Sequence, residues 1–216
     1  MLSEIESLAA RLSARFAPEV LTSSALVHGG AAVVARQAER LRALRPRTIV
    51  EIGTRYGAFA ALLGRLAERV FTLDLHGAIE VPDVLECAGV ANVVPLLVAS
   101  DAAKGLLLDA LDFDLAFIDG DHTREGAALD FAHTRRCGVV LFHDYADPGF
   151  HGVTEFVDAL DEGTVVRDAP FAWWFAPGVA PFAPLVGGAS APRAARQEQF
   201  SVRDRTPFCT AGLRCR

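Results

Sequence analysis

The chain has 216 residues, 51% of them hydrophobic, and a formal charge of −6. That length buries one substantial core, so a single domain is expected, and the acidic balance argues against nucleic acid as the main partner, because phosphate contacts need basic clusters. The charge is uneven: over residues 178–216, Arg193, Arg196, Arg203, Arg205, Arg214 and Arg216 face only Glu198 and Asp204, which makes an acidic body with a basic tail.

Leu2, Ile5, Leu8, Leu12 and Phe16 share one face of a first helix over residues 3–16, with Ser3 and Glu6 at capping-box spacing. The charges between them rule out a signal peptide there, and no apolar run is long enough to cross a bilayer. A soluble, cytoplasmic protein is expected. A loop containing His28-Gly29-Gly30 leads to a second helix over 29–44. The pattern then alternates. Strands are expected at Arg47–Ile52, Val70–Asp74, Val93–Val98, Phe113–Asp119 and Val139–His143. Helices are expected at Tyr56–Ala67, Pro82–Gly89, Ala102–Leu111, Thr123–Ala132 and Phe150–Leu160. Such alternation predicts an α/β fold with a parallel sheet covered on both faces.

Pro95 inside the third strand places it at or near an edge. In the last helix Phe150, Val153, Phe156, Val157 and Leu160 form the inner face, with Glu155, Asp158 and Asp161 outward. Thr164–Arg167 and Phe171–Phe175 read as two short strands around a turn at Asp168-Ala169-Pro170. Trp173 and Trp174 alternate faces there, one for the core and one for an oligomer contact. Residues 1–28 form an N-terminal helix and loop, 29–177 the main domain, and 178–216 a Pro/Gly/Ala-rich arm. Cys87, Cys137, Cys209 and Cys215 match no zinc-ligand spacing and no dense disulfide framework. They read as reduced thiols, Cys87 and Cys137 as small core residues, with a Cys209–Cys215 pair as the alternative.

Two groups of residues carry chemistry. In the first, Glu51-x-Gly53-x-x-x-Gly57 ends one strand and Asp74 ends the next. This is not the dinucleotide fingerprint, which needs three closely spaced glycines around a pyrophosphate. A carboxylate before the first glycine suits an ammonium group instead. Asp74 is placed to accept from two ribose hydroxyls, and Ser100-Asp101 could meet an adenine edge. In the second group, Asp119-Gly120-Asp121-His122 closes the fourth strand and His143-Asp144-Tyr145 the fifth. Neighbouring strands lie ~4.8 Å apart, so Asp119 and Asp144 approach each other, and a cation between them would relieve their repulsion.

The first group resembles class I S-adenosylmethionine-dependent methyltransferases. That resemblance implies a Rossmann-like, doubly wound sheet of about seven strands in the order 3-2-1-4-5-7-6. It also implies S-adenosylmethionine held by Glu51, Gly53, Thr54, Gly57, Asp74, Ser100, Asp101 and Asp119. The runs Phe113–His122 and Phe142–Tyr145 resemble the branch of metal-dependent small-molecule O-methyltransferases, its natural-product sugar and aminocoumarin members above all. Carried over, Asp119 and Asp144 become ligands of magnesium or manganese, with His143 at the third ligand position. Asp121 or His122 becomes the base that activates an acceptor hydroxyl. His143 departs from the acid or amide usual there. Imidazole is a poor magnesium ligand, so the metal differs, or His143 braces the site from beneath, or no metal binds. The other histidines, His28, His76, His133 and His151, are expected to face solvent or serve structure, His151 lying near enough to the fifth strand to touch substrate. A homodimer acting on a small-molecule acceptor is the expected working form. A non-catalytic S-adenosylmethionine-binding protein and an NAD-dependent oxidoreductase stand as alternatives.

Overall fold

A computed structural model of the chain describes residues 1–185. Most of the tail expected at 178–216, with its arginines and Cys209 and Cys215, lies outside the described residues. Helix α1 (Leu2–Ser13) buries Ile5, Leu8 and Leu12 as their spacing demands. Met1 stands at its N-cap with no side-chain cap bond, so the expected Ser3–Glu6 capping box is absent: Ser3 is already inside the first turn. A one-turn helix, α2 (Glu19–Thr22), was not foreseen. Pro18 starts it, because its fixed φ suits a helix entrance.

Beyond α3 (Ala31–Leu44) come β1 (Thr48–Ile52), α4 (Ala58–Leu63), β2 (Arg69–Asp74), α5 (Val81–Ala88), β3 (Val93–Leu97), α6 (Asp101–Ala110) and β4 (Leu115–Ile118). They are followed by α7 (Arg124–Thr134), a single 3₁₀ turn at Arg135–Cys137, β5 (Val139–Phe142), α8 (His151–Asp158), β6 (Thr164–Asp168) and β7 (Phe171–Phe175). Helix α4 is shorter than expected at both ends. Gly57, at φ 82°, is its N-cap, so Tyr56 stays in the turn before it. Gly64 follows it, where a Cβ would lie 2.7 Å from Val93 Cγ2, and the chain leaves through successive tight turns.

The seven strands form one sheet in the order β3-β2-β1-β4-β5-β7-β6. Strands β1 to β5 run parallel, and β7 pairs antiparallel with both β5 and β6. Pro95 does sit on an edge strand, where its missing N–H costs no ladder bond. Alternation along the strands divides the core in two. Ile49, Leu115, Phe117, Leu141 and Trp173 pack under α1, α3, α4 and α5. Val50, Ile118, Val140, Phe142 and Trp174 pack under α6, α7 and α8. Trp173 and Trp174 are therefore both core residues, which removes the oligomer role expected for one of them. Cys87 and Cys137 are free thiols at the edges of the two cores. Among the described residues no helix is long and apolar enough to cross a membrane.

The register positions the site. Ile52 pairs with Leu73 on one side and Ile118 on the other, and Ile118 pairs with Phe142. Gly53, Asp74, Asp119 and His143, the next residue on each strand, therefore leave the sheet at one level. Gly53 adopts φ 97°, and a Cβ there would run into the Asp119 carbonyl. Only glycine lets the β1 exit lie this close to the end of β4.

Candidate active site

On the β1–β3 side of the rim, Glu51 is 1% exposed. Thr72 Oγ1 donates to Glu51 Oε2 at 2.5 Å, and Thr54 Oγ1 lies 2.6 Å from Thr72 Oγ1. Burial pushes the Glu51 carboxyl well above the usual range against the pull of the Thr72 bond, and the charges of Asp119 and Asp74 push the same way. Asp74 closes β2 with both oxygens engaged: Oδ2 accepts from the Arg55 backbone N–H and Oδ1 from that of His76, each at 2.8 Å. Each oxygen retains a second lone-pair site. Ser100 is the N-cap of α6, its Oγ accepting from Ala103 N–H, and Asp101 pairs with Lys104 Nζ at 2.9 Å. Each of these two side chains thus also serves α6.

On the β4–β5 side, three imidazoles interleave with the carboxylates. His143, 3% exposed, has Nδ1 3.0 Å from Asp119 Oδ1, its hydrogen-bond partner, and 3.1 Å from Asp144 Oδ1. His122 Nε2 lies 2.7 Å from Asp144 Oδ2 and 3.5 Å from Asp119 Oδ1, while its ring stacks on Phe150 at 4.1 Å. Bonds to Asp119 and Asp144 raise the His122 pKa to about 9. His143 rises to about 10: burial opposes the shift, and the same two carboxylates outweigh it. Asp144 moves below its ordinary value because the two imidazoles outweigh its burial. Its backbone is left-handed, φ 57°, a conformation aspartate tolerates better than most residues.

Residues 50–145 match a family model described as a methyltransferase domain. This chain carries a methyltransferase domain. The sheet order is that of the class I methyltransferase fold. Similar solved structures include CalS11, described as a TDP-rhamnose 3'-O-methyltransferase of calicheamicin biosynthesis (TM-score 0.53, 15% identity, 80% of this chain and 93% of that one). Cofactor-bound Rv0187 from MTB gives TM-score 0.57 and 22% identity over 81% of this chain and 89% of that one. TomG from Streptomyces achromogenes, an O-methyltransferase of tomaymycin synthesis solved with SAM, gives 0.56 and 21% over 81% and 90%. No curated protein matches the sequence.

The methyltransferase domain brings together Glu51, Gly53, Thr54, Asp74, Asp119, His122, His143 and Asp144 as expected of neighbouring strand ends. Asp121 stands differently: its Oδ1 accepts from the Thr123 N–H at 2.9 Å, shaping the turn into α7. Phe150 is 39% exposed and covers His122 instead of joining the inner face of α8. His28 is exposed, as expected, and it also reaches the rim. It precedes the matched domain, yet its Nδ1 lies 3.4 Å from Asp144 Oδ1 and its Nε2 3.5 Å from Asp147 Oδ2. The cause is tertiary. Gly29, φ 78°, presses its backbone to the Pro170 ring, where a Cβ would lie 2.7 Å from Cδ. Asp168, two residues before Pro170, binds Arg36 and Gln37 of α3 at 2.6 to 2.9 Å and Arg40 at 2.5 Å.

Sequence reading also missed the ion pair of Lys104 Nζ with the fully buried Asp130 Oδ1, at 2.6 Å beneath the Gly120 turn. The signal was available: Lys104 is the only lysine in an arginine-rich chain.

Proposed function

We propose that this S-adenosylmethionine-dependent methyltransferase methylates a hydroxyl of a small molecule. The observation that carries the reading is the convergence of a donor seat and an imidazole–carboxylate corner at one level of the rim. When bound, S-adenosylmethionine supplies an electrophilic methyl group on a sulfonium centre. The residues present fit that donor. Glu51 is a buried carboxyl beside the Gly53 turn, and an ammonium next to it favours its ionised form, reversing the effect of burial. Asp74 keeps lone pairs for two ribose hydroxyls while the backbone N–H groups of Arg55 and His76 hold it in place.

At the other end Asp144 holds the proton of His122 on Nε2, leaving Nδ1 to take the proton of the acceptor hydroxyl. The two carboxylates keep His122 protonated until pH nears about 9, so the base is its deprotonated fraction and turnover should rise with pH toward that value. We assign the base to His122 over Asp121 because the Asp121 carboxylate is engaged in its own turn. Phe150, stacked on the ring, fixes its plane. Positioning supplies much of the remaining acceleration, since hydroxyl and methyl must approach within ~3–3.5 Å. Magnesium does not suit the corner: imidazole nitrogens lie within 3.0 Å of Asp119 and 2.7 Å of Asp144, where it demands an oxygen shell.

The test is to incubate the chain with S-adenosylmethionine and a panel of sugars and phenols, following S-adenosylhomocysteine by mass spectrometry. The reading expects formation that depends on a free acceptor hydroxyl. Donor binding without turnover on any hydroxyl would overturn it in favour of a non-catalytic binder.

A further inference from the structure

The mismatch with magnesium points to a different ion. Three donor atoms converge on one spot: His28 Nδ1 and His143 Nδ1 lie 3.4 Å and 3.1 Å from Asp144 Oδ1, and ion binding would exchange the His143 Nδ1 bond to Asp119 for a bond to the ion. Ligands on a tetrahedral ion with bonds of ~2.0–2.1 Å stand about 3.3 Å apart, so these spacings are those of a coordination edge. The three residues, with Asp119 and His122 adjoining, group as closely as a metal site requires.

A second observation concerns the Asp144 carboxylate. It is 3% exposed, and its Oδ1 has no hydrogen-bond partner among the described residues, although two imidazole nitrogens face it. A buried carboxylate oxygen held only by ion-pair contacts of this kind, with no well-aligned hydrogen bond, still has lone pairs for a cation in the nest. A third is the setting of His28. Its Nδ1 faces the nest while its other nitrogen faces the Asp147 carboxylate at 3.5 Å. This ion-pair contact is longer than a hydrogen bond, but it sets a carboxylate on the side of the ring where one would orient a metal-bound imidazole. Asp144 meanwhile divides its oxygens, Oδ1 toward this nest and Oδ2 toward His122.

We propose that His28, His143 and Asp144 form a binding site for a borderline divalent transition ion of the zinc(II) or iron(II) class, one ligand coming from the loop between α2 and α3. Two imidazoles and one carboxylate suit such ions and discriminate against magnesium, which prefers carboxylate, carbonyl and water oxygens. The site would tie the loop after α2 to the catalytic rim. This inference rests on the methyltransferase reading only for the meaning of its location. Its ligand set stands on geometry.

The experiment uses the untagged full chain after chelator treatment. Zinc(II) and magnesium(II) are titrated by calorimetry, and cobalt(II) serves as a spectroscopic stand-in for zinc. One zinc per chain is expected, bound ~100-fold or more tighter than magnesium, with cobalt giving the visible bands of a nitrogen-rich, low-coordinate site. His28→Ala should weaken zinc ~10-fold or more. Zinc should also raise the melting temperature of the native chain but not of that variant. If His28→Ala fails to fold, His28→Gln carries the same expectation. Magnesium binding as tightly as zinc, or unchanged zinc affinity without His28, would overturn the proposal and mark any zinc as adventitious. S-adenosylhomocysteine titrated into the same samples reports the donor seat separately, so failure of the metal site and failure of the methyltransferase reading give different results.

Discussion

The two halves of the rim are built on opposite principles. Toward β1, β2 and β3 the polar side chains are served by nearby groups: Thr72 on Glu51, the Arg55 and His76 N–H groups on Asp74, and Ala103 N–H on the Ser100 hydroxyl. Toward β4 and β5 the acids are served by imidazoles, and one of these, His28, comes from outside the parallel sheet altogether. The first half is a rigid seat, assembled from strand ends and the turns that follow them. The second is an assembly of ionisable groups whose charges depend on one another. Donor binding should therefore be robust to changes in the second half, and chemistry should not.

The largest effect that would break this contrast is at His122. His122→Ala should lower turnover ~10²-fold or more while S-adenosylhomocysteine affinity stays near that of the native chain. Equal losses in both would erase the division between the halves. Asp74→Ala should do the reverse. Losing charge-assisted bonds worth about 1.5–3 kcal/mol weakens the donor by at least tenfold in calorimetry, and saturating donor restores most of the turnover.

The brace beneath the second half gives a smaller, purely structural effect. Asp168→Asn should cost about 1–3 kcal/mol in urea unfolding, because two arginines and a buried glutamine lose their charged acceptor. Its pH dependence has a definite sign. The Arg36 hydrogen bond leads the effects that hold the Asp168 carboxyl near a pKa of about 2, against 3.8 when unperturbed. The stabilisation is present above about 4 and disappears as pH falls toward about 2. The native chain's advantage over Asp168→Asn should shrink across that interval. Smallest is Ser100→Ala, which removes the N-cap of α6 and should cost ~1 kcal/mol, without the loss of donor affinity that Asp74→Ala brings.

The same contrast explains what could be read from the residues alone. Glu51, Gly53, Asp74, Asp119, His143 and Asp144 end parallel strands, and strand ends in such a sheet share a rim whatever the rest of the chain does. Their placement followed from alternating apolar runs. His28 carries no comparable signal. Its position depends on Gly29 fitting against Pro170 and on α3 gripping Asp168, contacts that span more than 120 residues. Two positions turn on local geometry. Asp121, which the resemblance offered as a base, closes a turn on the Thr123 N–H, and Phe150 precedes the first turn of α8, outside the periodicity that put it on the inner face.

The account's central claim is that the β1–β2 end of the rim seats S-adenosylmethionine, and calorimetric titration with S-adenosylhomocysteine tests it most directly. The account predicts saturable binding of one molecule per chain, weakened at least tenfold by Asp74→Ala. No heat of binding in the folded native chain, or affinity indifferent to Asp74, would contradict it.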